Sequence, residues 1–291
     1  MKTLTLAALG LVALASLPAS AANWSDTYLG FRMGNKYQEP GYEASIAKSI
    51  FSLNHVSGYA YGSNFFNVDM LKSDRNDPAN GENSGGAQEV YVAYRHNLSL
   101  GSLFKTKMEF GPVKDVEFTA GFDYNAKDTA FAPRVYKVLA GPTFSFKVPG
   151  FLTLGVLYYK EKNNNGISGV DVSFDPTYQI NAAWGIDVPL GPVATKFKGF
   201  GTYTGTKGKD GFGVETEPET LIDMMWMFDL SPAIGAKKGT WQIGPGFQYW
   251  NNKFGGTTYA TAAEAVAKTG NPFATANPKT TCVQFGIEYH F

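Results

Sequence analysis

The stretch that decides the fold runs Thr280-Thr281-Cys282-Val283-Gln284-Phe285-Gly286-Ile287-Glu288-Tyr289-His290-Phe291. Side chains of an extended strand alternate between two faces. Val283, Phe285, Ile287, Tyr289 and Phe291 therefore share one face, and Gln284, Gly286, Glu288 and His290 share the other. One wall is apolar and one is polar. A soluble edge strand can alternate in the same way, but the termini of soluble domains are usually polar and poorly ordered. An apolar face against lipid and a polar face against a wet lumen is the pattern of a transmembrane β-barrel strand.

At the other end, residues 1–21 read as a secretory signal. Lys2 supplies the positive segment, residues 4–17 are apolar or small, and Pro18 breaks the run before Ala19-Ser20-Ala21. Cleavage after Ala21 is expected. The rest of the chain has no apolar run long enough for a membrane-spanning helix. An exported chain without a helical anchor is either soluble outside the cytoplasm or a barrel in an outer membrane.

Composition leans towards the barrel. The chain holds 22 Phe, 16 Tyr, 5 Trp and 33 Gly, and 17% of its residues are charged. Aromatic girdles and close-packed tilted strands use these residue types. The single cysteine, Cys282, allows no internal disulfide. The 25 basic and 25 acidic residues balance. That argues against nucleic-acid binding by a basic surface and against a pore with one overwhelming sign of charge.

Short alternating segments recur along the chain, and the spacing predicts about twelve strands, an even number as a single-chain barrel requires. They lie near residues 25–35, 45–56, 64–71, 88–96, 116–125, 134–148, 151–160, 177–188, 193–206, 219–230, 240–250 and 280–291. Residues 57–63 read as a tight connection. Residues 72–86, 161–176, 207–218 and 251–278 read as long polar loops, the last with an Ala-rich short helix near 259–268. Pro149-Gly150 and Pro189-Leu190-Gly191-Pro192 read as tight turns. Long and short connections alternate, apart from the one after the fourth strand. Long extracellular loops and short periplasmic turns produce this alternation, whereas a β-sandwich gives no reason for it. The expected fold is all-β: one transmembrane antiparallel barrel over residues 22–291, in the outer membrane and in contact with its lipid.

Chemistry is sparse. His55, His96 and His290 show no metal-ligand spacing, and one cysteine builds no zinc site with them. No Gly-x-Ser-x-Gly elbow occurs. Gly81–Gly86 lacks the Gly-Lys-Ser/Thr ending of a phosphate loop. No enzyme, metal or cofactor is expected. The informative set is the inward face of the strands. Asp26, Tyr28, Arg32, Glu89, Tyr91, Arg95, Glu117, Asp123 and Asp223 are the candidate solute-contacting residues. Tyr159, Gln179, Asn181, Asp187, Lys196, Lys198, Gln242, Gln248 and Glu288 accompany them. Inward charges often pair simply to fill a small barrel. The functional alternative is a narrow pore, and mixed charge suits a neutral polar or zwitterionic solute. Tyrosine rings add faces on which a base or sugar can stack.

With these residues in view, the chain resembles the nucleoside-specific channel-forming outer-membrane porins, the Tsx-like family. The resemblance rests on Trp24-Ser25-Asp26-Thr27-Tyr28-Leu29, on Phe110-Gly111-Pro112-Val113-Lys114-Asp115 and on Tyr249-Trp250-Asn251-Asn252. Val113 stands where the family has an aromatic. The resemblance implies a monomeric twelve-stranded barrel whose narrow pore admits nucleosides. Barrels with such a last strand also present a terminal aromatic, here Phe291, to the barrel-insertion machinery. Two functions follow: a channel for nucleosides or similar small polar solutes, or a closed structural barrel whose long loops bind a surface partner.

Overall fold

The computed structural model describes residues 22–79, 85–128, 133–165 and 169–291. The expected signal peptide at 1–21 and most of the glycine-rich stretch 81–86 lie outside the described residues. The strands are β1 (Trp24–Tyr37), β2 (Ile46–Tyr59), β3 (Gly62–Ser73), β4 (Gln88–Ser99), β5 (Val113–Asp128), β6 (Arg134–Phe146) and β7 (Gly150–Asn165). There follow β8 (Val170–Ser173), β9 (Thr177–Asp187), β10 (Thr195–Thr204), β11 (Glu219–Asp229), β12 (Trp241–Asn251) and β13 (Thr280–His290). Two short helices, α1 (Leu100–Phe104) and α2 (Ala262–Thr269), sit in connections.

All strands belong to one antiparallel sheet that closes on itself. β1 pairs with β2 along one edge and with β13 along the other, from Tyr28↔His290 to Gly34↔Gln284. The remaining staves pair with their chain neighbours, and β7 joins β6 to β9. Among the described residues the barrel therefore has twelve staves, as the spacing predicts. Closure leaves every stave with a partner on both edges, so few backbone groups are left without a hydrogen-bond partner. The helix expected near 259–268 is α2, capped by Thr261, whose hydroxyl accepts from Glu264 N at 3.1 Å.

Two expectations need correction. The connection at 57–63 is only two residues long, because β2 runs to Tyr59 and β3 starts at Gly62. The stretch 161–176 is not simply a polar loop. β7 continues to Asn165 through its asparagine run and returns as β8, with Lys162↔Ser173 to Asn165↔Val170 paired. Asparagine is a poor strand former, but pairing with β6 on one side and β8 on the other supplies the hydrogen bonds that hold it extended. The connection after β4 is long because it contains α1, whose N-cap Ser99 accepts from Ser102 N at 3.0 Å.

The alternation sorts the two faces. Val283 is 68% exposed and its neighbour Gln284 only 1%. Leu29, Phe51, Met70, Val156 and Phe285 are likewise exposed on the outer wall. Aromatic side chains gather towards both ends of that wall. Tyr178 and Tyr203 lie 6.3 Å apart at one end, and Trp241 and Tyr289 lie 4.8 Å apart at the other. We call the end carrying Trp24 and His290 the lower end. Gly150 makes the lower β6–β7 turn with φ +97°, and a Cβ there would overlap the Gly185 carbonyl oxygen, so only glycine fits.

Candidate functional site

The lumen is lined by the inward residue of each strand pair, and its contents form three levels. At mid-height, Arg32 of β1 donates to Asp69 Oδ2 at 2.7 Å and to Ser52 Oγ at 3.2 Å. Ser52 donates in turn to Asp69 Oδ1 at 2.7 Å. The same guanidinium lies 3.9 Å from Asp223 of β11, three strand pairings away in the other direction. Asp223 accepts from Gln248 Nε2 at 2.7 Å and from Gln284 Nε2 at 3.1 Å, and Tyr37 OH donates to Gln284 at 3.0 Å. On the adjoining wall, Asp123 accepts from Tyr91 OH at 2.8 Å and from Arg95 Nη1 at 2.6 Å. Two arginine–carboxylate groups thus line the wall, one across β1–β3 and β11–β13 and the other across β4 and β5.

The upper level is a buried ion cluster. Glu39, from the β1–β2 connection, lies 2.5 Å from Lys48 Nζ, 3.0 Å from Lys253 and 3.7 Å from Lys127. Lys127 also approaches Asp77 at 3.2 Å and Glu89 at 3.8 Å. Burial alone would raise the Glu39 carboxyl, but the three ammonium groups outweigh it and hold Glu39 well below the usual carboxylate range. Burial together with Lys48 and Lys127 outweighs Glu39 at Lys253 and pushes that ammonium down to about 8. A second buried pair, Lys207–Glu161 at 2.8 Å, ties the β10–β11 connection to β7. Charged groups from four connections thus fasten the upper mouth.

The lower level is more open. His290 Nδ1 lies 2.8 Å from Asp26 and its Nε2 3.3 Å from Glu288. Lys198 lies 2.5 Å from Glu288 and sits 4.2 Å above the Tyr28 ring. Both imidazole nitrogens thus face carboxylates, and no hydroxyl takes the place of a nucleophile in this Asp–His contact. Lys196 and Asp187 pair at 3.6 Å with both side chains largely in solvent.

The sequence-derived candidates therefore separate by height. Arg32 and Asp223 come together, as do Tyr91, Arg95 and Asp123. Asp26 and Tyr28 belong to the lower mouth, and Glu89 belongs to the upper cluster, where it also accepts from Asn125 at 2.6 Å. Glu117 joins none of these groups, and its Oε2 is buried without a hydrogen-bond partner.

Sequence reasoning passed over two kinds of lumen residue. Glu39, Asp77, Lys207 and Lys253 sit in connections, where no period marks a face. Glu161 continues the inward parity of Tyr159, and a longer seventh strand would have exposed it to view. The lumen also carries apolar groups. Ile46, Ile50, Tyr37 and Cys282 pack together on one inner wall, and Leu139, Leu157 and Tyr159 on another. Phe65 opposes Arg95, and Phe200 opposes Asp223, so both rings point inward. They are nonetheless 36% and 39% exposed. Rings this exposed on the inner wall of a closed barrel face open space, Phe65 towards the lower mouth, where its strand partner Val56 pairs with Asp26, and Phe200 beside Asp223.

No protein-family model matches this sequence, and no curated protein does. Solved barrels are similar in architecture at low identity. The translocator domain of the autotransporter NalP from Neisseria meningitidis is 14% identical, with TM-score 0.44, covering 99% of this chain and 95% of its own. The NanC porin is 9% identical, with TM-score 0.46, covering 91% and 99%. The KdgM porin, solved in complex with disordered oligogalacturonate, is 9% identical, with TM-score 0.42, covering 91% and 99%.

Proposed function

We propose that this chain is an outer-membrane channel that passes small polar solutes, with nucleosides as the class its lumen suits best. The lower end is then periplasmic and the ion-clustered upper end extracellular. The observation that carries the reading is the pair of lumen-exposed rings, Phe65 beside Arg95 and Phe200 beside Asp223. Each offers a flat apolar face next to a charged hydrogen-bonding group. A nucleoside presents the complement: a π-face on its base and hydroxyls on its sugar. Stacking of a base on an aromatic ring contributes roughly 1–3 kcal/mol in other systems. Sites of that strength bind and release quickly, as conduction requires. The outer wall, apolar between two aromatic zones, suits lipid. Phe291, 69% exposed on that wall, is proposed as the residue read during insertion.

Single-channel recording of the refolded barrel in a planar bilayer, with adenosine or thymidine titrated in, tests this. Current steps that nucleoside blocks, with block weakened in Phe65→Ala and Phe200→Ala, are expected. Steps indifferent to nucleoside would remove the substrate class and leave the channel. A folded barrel that gives no steps under any condition would overturn transport.

A further inference from the structure

We propose that the connection between β4 and β5 is a foot that holds anionic phospholipid headgroups of the periplasmic-side leaflet. This rests on the outer-membrane reading above but concerns the outside of the barrel, not its lumen. The connection carries three exposed apolar residues: Leu103, Phe104 (62% exposed) and Phe110. The Phe110 ring meets Phe144 edge-on at 6.3 Å. Phe144 has the outward parity of β6, opposite to inward Thr143 and Ser145, so the foot lies against the lipid-facing wall.

Lysines surround these rings. Lys147 Nζ lies 3.1 Å from Glu109 Oε2, and the Lys147 N–H donates to Pro112 O at 3.0 Å, joining the β6–β7 turn to the foot. Lys147 first, then Lys107 and Lys114 to a lesser degree, lower the exposed Glu109 carboxyl. Lys105 adds a fourth at the left-handed end of α1. All four lysines are exposed. The four lysines outnumber the two nearby carboxylates, Glu109 and Asp115, so the foot is net positive, and it lies beside rings that favour the acyl boundary. Lysine stems lie along apolar surface while the ammonium reaches outward to phosphate. A free anion would use the lysines but gives no reason for Phe104 and Leu103 to stay uncovered. A headgroup attached to acyl chains accounts for both.

The test uses the purified full barrel in mixed micelles with equimolar phosphatidylcholine and phosphatidylglycerol, and counts retained lipids by native mass spectrometry. Phosphatidylglycerol should be retained preferentially, by roughly fivefold for each lysine that engages a headgroup. High salt should collapse the preference, as should Lys107→Glu with Lys147→Glu. Phe104→Ser should lower retention of both lipids. Lys209→Glu, at the opposite end, should change nothing. Equal retention of the two lipids by the unmodified barrel, or a preference that survives charge reversal, overturns the proposal. Folding of each variant is read from its heat-modifiable band. Where the double variant does not fold, Lys107→Gln and the salt titration of the unmodified barrel decide. A barrel that enters no bilayer at all would sink the membrane reading; one that inserts and conducts without lipid preference sinks only the foot.

Discussion

Lys207 Nζ lies 2.8 Å from Glu161 Oε2, and the two side chains are only 1% and 3% exposed. Glu161 also accepts from Tyr159 OH at 2.6 Å, so the pair is tied into the polar interior. Removing one member strands the other charge without its partner. Lys207→Met is expected to cost about 3–5 kcal/mol, the usual price of breaking a buried pair. Lys207→Met with Glu161→Leu should recover much of that loss, because an apolar pair of similar size needs no charge partner. Urea midpoints in lipid vesicles check this. A single variant within about 0.5 kcal/mol of the parent would show that water, not Lys207, serves Glu161.

The upper cluster predicts a pH profile with two windows. Lys253 titrates near 8 in the folded barrel, below the 10.5 of a free lysine. Between these values the unfolded chain binds a proton that the folded one does not, so stability rises with pH across that window. The slope from this one group is at most about 1.4 kcal/mol per pH unit. Glu39 acts in the same direction, in a separate acidic window. Its folded carboxyl is held well below the usual 4.5, so its stabilisation is complete above that value and lost as pH falls further. Lys253→Met should abolish the alkaline rise and reduce the acid loss, because Lys253 is the strongest of the ammonium groups that hold Glu39 down. An unchanged alkaline arm would assign it to another group.

Arg32 should control permeation. Its guanidinium neutralises Asp69 at 2.7 Å and reaches Asp223 at 3.9 Å from the other side. Arg32→Ala leaves two lumen carboxylates short of positive charge and removes bulk from mid-height. Single-channel conductance should increase, and the reversal potential in a potassium chloride gradient should shift towards cations. Unchanged conductance and selectivity would place the conduction path away from Arg32.

Gly34 faces the buried Cys282. A Cβ at Gly34 would stand 2.6 Å from Cys282 Sγ and 3.0 Å from Val283 O. Gly34→Ala is expected to cost about 1–3 kcal/mol through overpacking. Cys282→Ala in the same chain should restore part of it, since the sulfur is the nearest of three close contacts, with Val283 O and the Tyr37 ring. Maleimide should label Cys282 only after unfolding, because the side chain is fully buried. Rapid labelling of the folded barrel would contradict this packing.

The inward and outward residues of several strands were legible without coordinates, and the last strand shows why. Parity is a local property: Val283 and Gln284 must point to opposite sides whatever the strand pairs with. The same rule placed Tyr91, Arg95 and Asp123 inside, and the structure finds them there in one hydrogen-bonded group. The reading faltered where local propensity misled. The asparagine run at Asn163–Asn165 looks like a turn, yet the neighbouring strands hold it extended.

The amino-acid order by itself determined that this chain builds a closed antiparallel barrel with an apolar outside. Period-two alternation, two classes of connection and a girdle-rich composition all act over short range. Only the tertiary structure decided which inward residues share a level. Arg32 and Asp223 meet because register through three strand pairings brings them to one height. Glu39, Lys127 and Lys253 meet because two connections fold over a strand end. Strand register and loop course depend on the summed pairing of distant segments, and no local period encodes that.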